Sequence, residues 1–410
     1  MEENLLRELA ERYLLPFISG SELLPGTIPS NKHDKLVGLF DPSTIHFKAD
    51  KADQYRLALR RSQHFDKVGS KRVIEKHVVD GFISSINDIR DGLSSPYTSD
   101  LLASLQRRIV SKSICDSSTQ PAIVSGIENL NSWSAKLYEG KPISVSLGLI
   151  PESLEHGPLL SEAYKQDFGS VLTNGYDTIL TFDINGYIQT HESLQAPTPA
   201  PSYAPYRQAQ IAAWSKDGRI GLTLNRLGEI LIFKDQKLLF VRRSGIWHFL
   251  THEPTLAQIK KPNNVAARKA IYESCLDASF ARTGACLGVI TSNYATKWQK
   301  IVPSKSDHLS KQESIKSQTI AKVIGNRPFQ DLDRRLRQEL LAIDGATILD
   351  HDGKILAVGA ILKIPGGSSG GGRLAAAQAL SDLGLGIKIS QDGGIQGFYG
   401  GTSDPQFSIM

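Results

Sequence analysis

An acidic residue, a glycine-rich loop and an arginine fall close together late in this chain. Asp344-Gly345-Ala346 opens an apolar run, and Gly366-Gly367-Ser368-Ser369-Gly370-Gly371-Gly372-Arg373 leads into an alanine-rich segment. A glycine loop that opens a helix offers backbone N–H groups to an anion, and the helix dipole adds to the attraction. Arg373 at the helix start supplies a charged donor fork. Asp392 is a second carboxylate, in an Asp-Gly pair nearer the C-terminus. Two carboxylates can share a divalent cation, which can bridge the phosphates of a nucleotide. Spacing alone does not single out Asp344, because Asp-Gly is first of all a turn dipeptide. Other such pairs begin at Asp80, Asp91, Asp217 and Asp352.

The elements that must position these residues occupy residues of about 262–405. Ala267, Ile271, Leu276 and Phe280 recur at helical spacing, and Gly284-Ala285-Cys286-Leu287-Gly288-Val289-Ile290 reads as a buried strand. A mostly polar connection follows over 293–307, then helical segments at 320–324 and 332–341. Residues 346–349 and 355–358 are strands about the Asp352-Gly353 turn, and 374–383 is a short helix. Residues 386–390 and 395–399 form a closing hairpin across Asp392-Gly393. This order predicts a mixed-sheet α/β domain.

The same stretch resembles the diadenylate cyclase catalytic domain. Gly284-Ala285-Cys286-Leu287 is similar to the family's Gly-Ala-Leu-Ile strand beside the adenine, and Asp344-Gly345-Ala346 to its Asp-Gly-Ala motif. Residues 371–381 lie without a gap on Gly-Thr-Arg-His-Arg-Ala-Ala-Leu-Gly-Ile-Ser, and Ser390-Gln391-Asp392-Gly393-Gly394 resembles Ser-Glu-Glu-Thr-Gly. The resemblance implies that two ATP molecules, held by two facing copies of the domain, condense to cyclic di-AMP and pyrophosphate, so a homo-oligomer is required. It implies Mg2+ or Mn2+ as cofactor, with Asp344 binding the metal and helping to activate the 3′-hydroxyl, and Asp392 supporting the metal. Arg373 and the backbone of Gly370, Gly371 and Gly372 would hold phosphates, while Leu287, Gly345, Ala346 and Ser390 would border the nucleotide. Of the family's Arg-His-Arg triplet only Arg373 remains, with Leu374 and Ala375 in the other places, and Ile343 stands where histidine is common. Three readings stay open: an active cyclase, a cyclase of altered nucleotide choice, and a domain that binds nucleotide or cyclic dinucleotide without turnover.

The preceding chain carries no catalytic constellation. Residues 1–140 read as a mainly helical layer, with amphipathic segments at the N-terminus and near 73–93, and helices opened by Ser99 and Pro121. Residues 141–255 read as a small antiparallel β-rich unit, with strands at 143–147, 177–182, 211–214, 220–224, 230–233 and 238–241. Asn185-Gly186 marks a hairpin, and four prolines over 197–205 mark a loop. Together these regions are expected to be sensory or regulatory.

Composition narrows the classes further. Hydrophobic content of 40% and charged content of 22% suit a folded chain. With 47 basic and 42 acidic residues the net charge is +5, which leaves a nucleic-acid-binding scaffold as the third-ranked alternative because a dedicated binder carries a denser basic patch. Cys115, Cys275 and Cys286 are too scattered for a disulfide framework or a zinc knuckle. No apolar run approaches the roughly 20 residues of a membrane span, and the acidic N-terminus lacks a signal pattern, so a cytoplasmic location is expected.

Other chemistry-bearing residues have plainer readings. Arg334, Arg335 and Arg337 are expected on a solvated helix face. His77 and His248 lie in apolar patterns as core histidines, Trp214 and Trp247 as sheet core, and Cys275 and Cys286 as small core residues. Arg242-Arg243 reads as an exposed strand end that can also meet an anionic signal.

Overall fold

The computed structural model describes residues 1–65, 74–94, 96, 98–153, 157–364 and 371–410. The chain divides into two compact units, Met1–Thr251 and His252–Met410.

The first unit opens with helix α1 (Glu3–Tyr13), whose Leu6, Leu9 and Ala10 are buried. A small antiparallel sheet follows: β1 (Ser21–Leu23), β2 (Ile28–Pro29), β3 (Val37–Asp41), β4 (Thr44–Phe47) and β5 (Tyr55–Arg61). Its order is β1-β5-β4-β3, with β2 also on β5. Helices α2 (Ile74–Asp88), α3 (Thr98–Ile114) and α4 (Gln120–Ser134) come next, Pro121 lying in the first turn of α4. The N-terminal region is thus helical where apolar spacing says so, but residues 21–61 form a sheet that this reading lacked. In β4 all four residues are buried and in β3 the exposure runs along one end, so neither strand shows the alternation that marks a strand in sequence.

A two-residue hairpin, β6 (Leu137–Tyr138) and β7 (Lys141–Pro142), leads to a seven-stranded sheet. Its strands are β8 (Val145–Leu149), β9 (Thr178–Phe182), β10 (Ile188–Ser193), β11 (Ile220–Leu224), β12 (Ile230–Lys234), β13 (Lys237–Arg243) and β14 (Ile246–Phe249), ordered β10-β9-β8-β11-β12-β13-β14. The sheet is mixed rather than purely antiparallel, since β8 and β9 run parallel. Short helices α5 (Leu160–Ala163) and α6 (Ala209–Trp214) lie in its connections. Residues 211–214, expected as a strand, are therefore helical; the apolar run is short enough to suit either state. One apolar cluster runs from Leu6 through Leu130 to Phe249, so residue 140 is not a boundary between cores. His77 is exposed, contrary to its reading as a core residue, whereas Trp214 and Trp247 are buried as expected.

The second unit begins with α7 (His252–Gln258) and α8 (Val265–Ala281), the latter capped by Asn264, whose side chain accepts from the Ala266 N–H. Then come β15 (Ala285–Ile290), α9 (Trp298–Ile301), α10 (Ile315–Ile324) and α11 (Arg334–Ala342). The chain continues with β16 (Ala346–Leu349), β17 (Ile355–Ala360), α12 (Gly372–Ser381), β18 (Gly384–Ile389), β19 (Ile395–Tyr399) and β20 (Phe407–Ile409). The sheet order is β17-β16-β15-β18-β19-β20; only β15 and β16 are parallel, which makes it the expected mixed sheet. Strand β20 extends it beyond the expected hairpin.

Helices cover both faces of this sheet. On one face α12 sits close because it is built from alanine and the strands below it from glycine. A Cβ on Gly386 would lie 1.8 Å from the Ala377 carbonyl, and one on Gly288 would meet Leu380 at 2.7 Å. On the other face α11 is tied to α8 by two buried ion pairs. Arg334 reaches Asp277 at 2.7 Å and Arg337 reaches Glu273 at 2.8 Å. This corrects the solvated-face reading: of the three arginines only Arg335 is exposed. The acidic partners lie some sixty positions upstream on another helix, beyond the reach of local charge patterning.

Candidate active site

Asp344 is placed by what flanks it. Helix α11 stops at Ala342, Ile343 turns extended, and Gly345 adopts a φ of 104° before β16 begins. A side chain at Gly345 would lie 2.6 Å from the Gly359 carbonyl carbon, so β16 and β17 touch backbone to backbone there. The Asp-Gly pair is therefore not a hairpin turn. Its glycine permits strand contact and leaves the exposed Asp344 at the sheet end.

Beside it opens a cavity of about 540 Å³, within the size range of small-molecule sites. Cys286 and Ala346, neighbours across β15 and β16, line its floor. Ile361, Leu362, Ile364 and Leu374 give it apolar walls. Gly371, Gly372 and Arg373 bring in the start of α12, whose first N–H groups have no side-chain cap. Lys388, Ser390 and Gln391 close the far end. Among the described residues the lining carries two cations, Arg373 and Lys388, against one carboxylate, Asp344.

Arg373 is directed by shape. A Cβ on Gly284 would lie 2.9 Å from its Nη1 and 3.1 Å from Gln391 Cγ, so the guanidinium rests against the Gly284 backbone. Lys388 is steadied by Gln396 at 3.3 Å. Burial pushes the Cys286 thiol up to about 12, with the nearby Arg373 charge opposing the shift. At neutral pH the thiol is protonated and acts as an apolar wall. At the β17 end, Lys316 ion-pairs with Asp307 and donates to the Gly359 carbonyl at 3.0 Å.

The cavity gathers Asp344, Gly345, Ala346, Gly371, Gly372, Arg373 and Ser390 from the expected set. Gly370 lies outside the described residues. Leu287 and Asp392 are not in the lining. Leu287 pairs with Thr347, whose hydroxyl donates to the Leu340 carbonyl at 3.4 Å, so both side chains face α11, away from the cavity. Asp392 serves its own hairpin: its carboxylate accepts from the Gly394 N–H at 3.2 Å, and that bond holds it below the usual carboxylate range despite some burial. Lys388 and Cys286 are the chemistry-bearing residues that sequence reading did not assign to the site; strand pairing of Cys286 with Lys388 puts them side by side.

Among the described residues no group of three or more His, Cys, Asp or Glu side chains could hold a metal by itself. Mg2+ commonly takes only one or two carboxylates and completes its shell with phosphate and water, so a lone Asp344 in a cavity that also carries Arg373 and Lys388 is compatible with that demand. No helix of the described residues is long and apolar enough to cross a membrane.

No protein-family profile matches the chain, and no curated protein matches it. Among solved structures it is similar to a crystal structure of a DacA double mutant from Staphylococcus aureus, at 15% identity over 33% of this chain and 81% of that one, with a TM-score of 0.23. At that score the likeness carries no weight for fold or chemistry, and the site stands on its own geometry.

Proposed function

We propose that the C-terminal unit is a diadenylate cyclase domain, each copy holding one ATP, with two facing copies condensing the pair to cyclic di-AMP and pyrophosphate. The supporting observation is the single cavity that joins Asp344, Arg373, Lys388 and the open start of α12 to apolar walls. The walls suit a base, while the two cations and the helix N-terminus suit phosphates. Asp344 would hold a divalent cation, Mg2+ or Mn2+, which offsets charge on the triphosphate. Asp344 also takes the proton of the 3′-hydroxyl as that oxygen attacks the facing α-phosphorus. Arg373 and Lys388 stabilise charge on the phosphoryl oxygens as the bond to pyrophosphate breaks.

The test is incubation of the whole protein with ATP and Mg2+ or Mn2+, followed by chromatography for cyclic di-AMP and pyrophosphate. Asp344→Asn should cut product by about 10²–10⁴-fold while the fold persists; unchanged turnover removes Asp344 from the mechanism.

A second reading is favoured by Asp392, which is committed to its turn, and by Leu374, which lines the cavity where the resembled family carries a histidine. It is a nucleotide or cyclic-dinucleotide receptor without turnover. Saturable ATP binding by calorimetry, lost in Arg373→Ala and unaccompanied by product, would select it.

A further inference from the structure

The N-terminal unit contains a smaller cavity of about 80 Å³ where α3, α4 and the β13–β14 turn meet, bordered by Gln106, Arg107, Asn131, Arg242, Gly245 and Trp247. Strand alternation gives the adjacent arginines of β13 different fates. Arg243 is buried against Glu229, contrary to the exposed strand end expected of it. Arg242 faces the cavity and has no hydrogen bond or ion pair among the described residues. The side-chain amides of Gln106 and Asn131 are likewise without a hydrogen-bond partner among the described residues.

The charge balance is unusual for a partly enclosed space. Arg107 pairs with Glu128 at 2.9 Å, yet its Nε is buried without a partner among the described residues. Arg242 thus adds an uncompensated cation beside Arg107. Burial, and then the charge of Arg107, push the Arg242 pKa down, as expected where a counter-charge is wanting. Trp247, 1% exposed, gives the cavity an apolar side, which strengthens charge interactions beside it. The volume corresponds to roughly two or three waters at ~30 Å³ each, enough for one tetrahedral oxyanion. A guanidinium fork flanked by two amides matches the oxygens of such an ion.

We infer that this cavity is a binding site for a phosphoryl group, held by Arg242 with Gln106 and Asn131 and attracted by Arg107. Ala103 and Gly245 at its rim are exposed, so the group can arrive as free phosphate or on a larger molecule. The site is independent of the cyclase reading.

The experiment uses the full chain carrying Arg373→Ala, which weakens the other cationic cavity. Inorganic phosphate and AMP are each titrated by calorimetry at matched ionic strength, with acetate as competitor. Saturable binding is expected, weakened about tenfold or more by Arg242→Gln, which removes a charged hydrogen-bond donor. Asn131→Leu should weaken the same binding, and guards against misfolding of the arginine variant. Binding of phosphate alone identifies the free ion as ligand, and binding of both identifies a carried phosphoryl group; each upholds the site. Absence of binding in the millimolar range, equal binding in both variants, or equal displacement by acetate would overturn it.

Discussion

At the residue scale, environment separates groups of the same type. His248 is half-buried, its Nδ1 has no partner among the described residues, and burial with the nearby Arg243 charge lowers its pKa to about 4. An unfolded histidine titrates near 6.5. Between those values the unfolded chain therefore binds more protons, and stability rises with pH. The contribution is complete above about 6.5 and is lost as pH falls towards 4. Urea unfolding of His248→Gln should consequently show a shallower stability loss from pH 7.5 to 4.5 than the parent chain; equal slopes would refute this. Asp344 and Arg373 were singled out by the ordered family motifs and not by spacing, since Asp-Gly is first a turn dipeptide, and the fold brings both into the lining of one cavity. Lys388 and Cys286 were not, because their meeting is fixed by strand register, a non-local property. Asp392 lies outside the cavity lining, with one carboxylate oxygen accepting from the Gly394 N–H, and a turn aspartate of that kind looks the same in sequence as one that faces a site.

At the element scale, the site depends on two helices held in unlike ways. Helix α12 sits on glycines and alanines, and its periodicity and glycine-rich approach were readable. Helix α11 is held by Arg334–Asp277 and Arg337–Glu273, and hands the chain on to Asp344 within two residues of its end. Removing one partner strands a buried charge. Asp277→Ala should cost about 3–5 kcal/mol in denaturant unfolding, whereas replacing Asp277 and Arg334 together by leucine and methionine should cost far less. A similar loss in both proteins would show that the pair acts by packing alone. The helices of the first unit were legible from apolar spacing, but the sheet over residues 21–61 was not. Its strands are short, and burial along them follows tertiary cover rather than alternation.

At the scale of the whole molecule, the units differ in what they can lose. Residues 1–140 and 141–251 contribute to one apolar cluster, so neither part buries its core alone. The chain cut after Thr251 should yield two pieces that each unfold cooperatively in urea, while residues 141–255 alone should show no cooperative transition; near-ultraviolet dichroism during the titration distinguishes these outcomes. The double clamp on α11 also bears on how the molecule meets heat. Hydration of charged groups becomes less favourable on warming, so the desolvation that opposes a buried ion pair shrinks while apolar contacts gain little. The segment carrying Asp344 is thus tethered by the contacts that heat erodes least, and warming should loosen the surrounding fold before it lets that carboxylate drift.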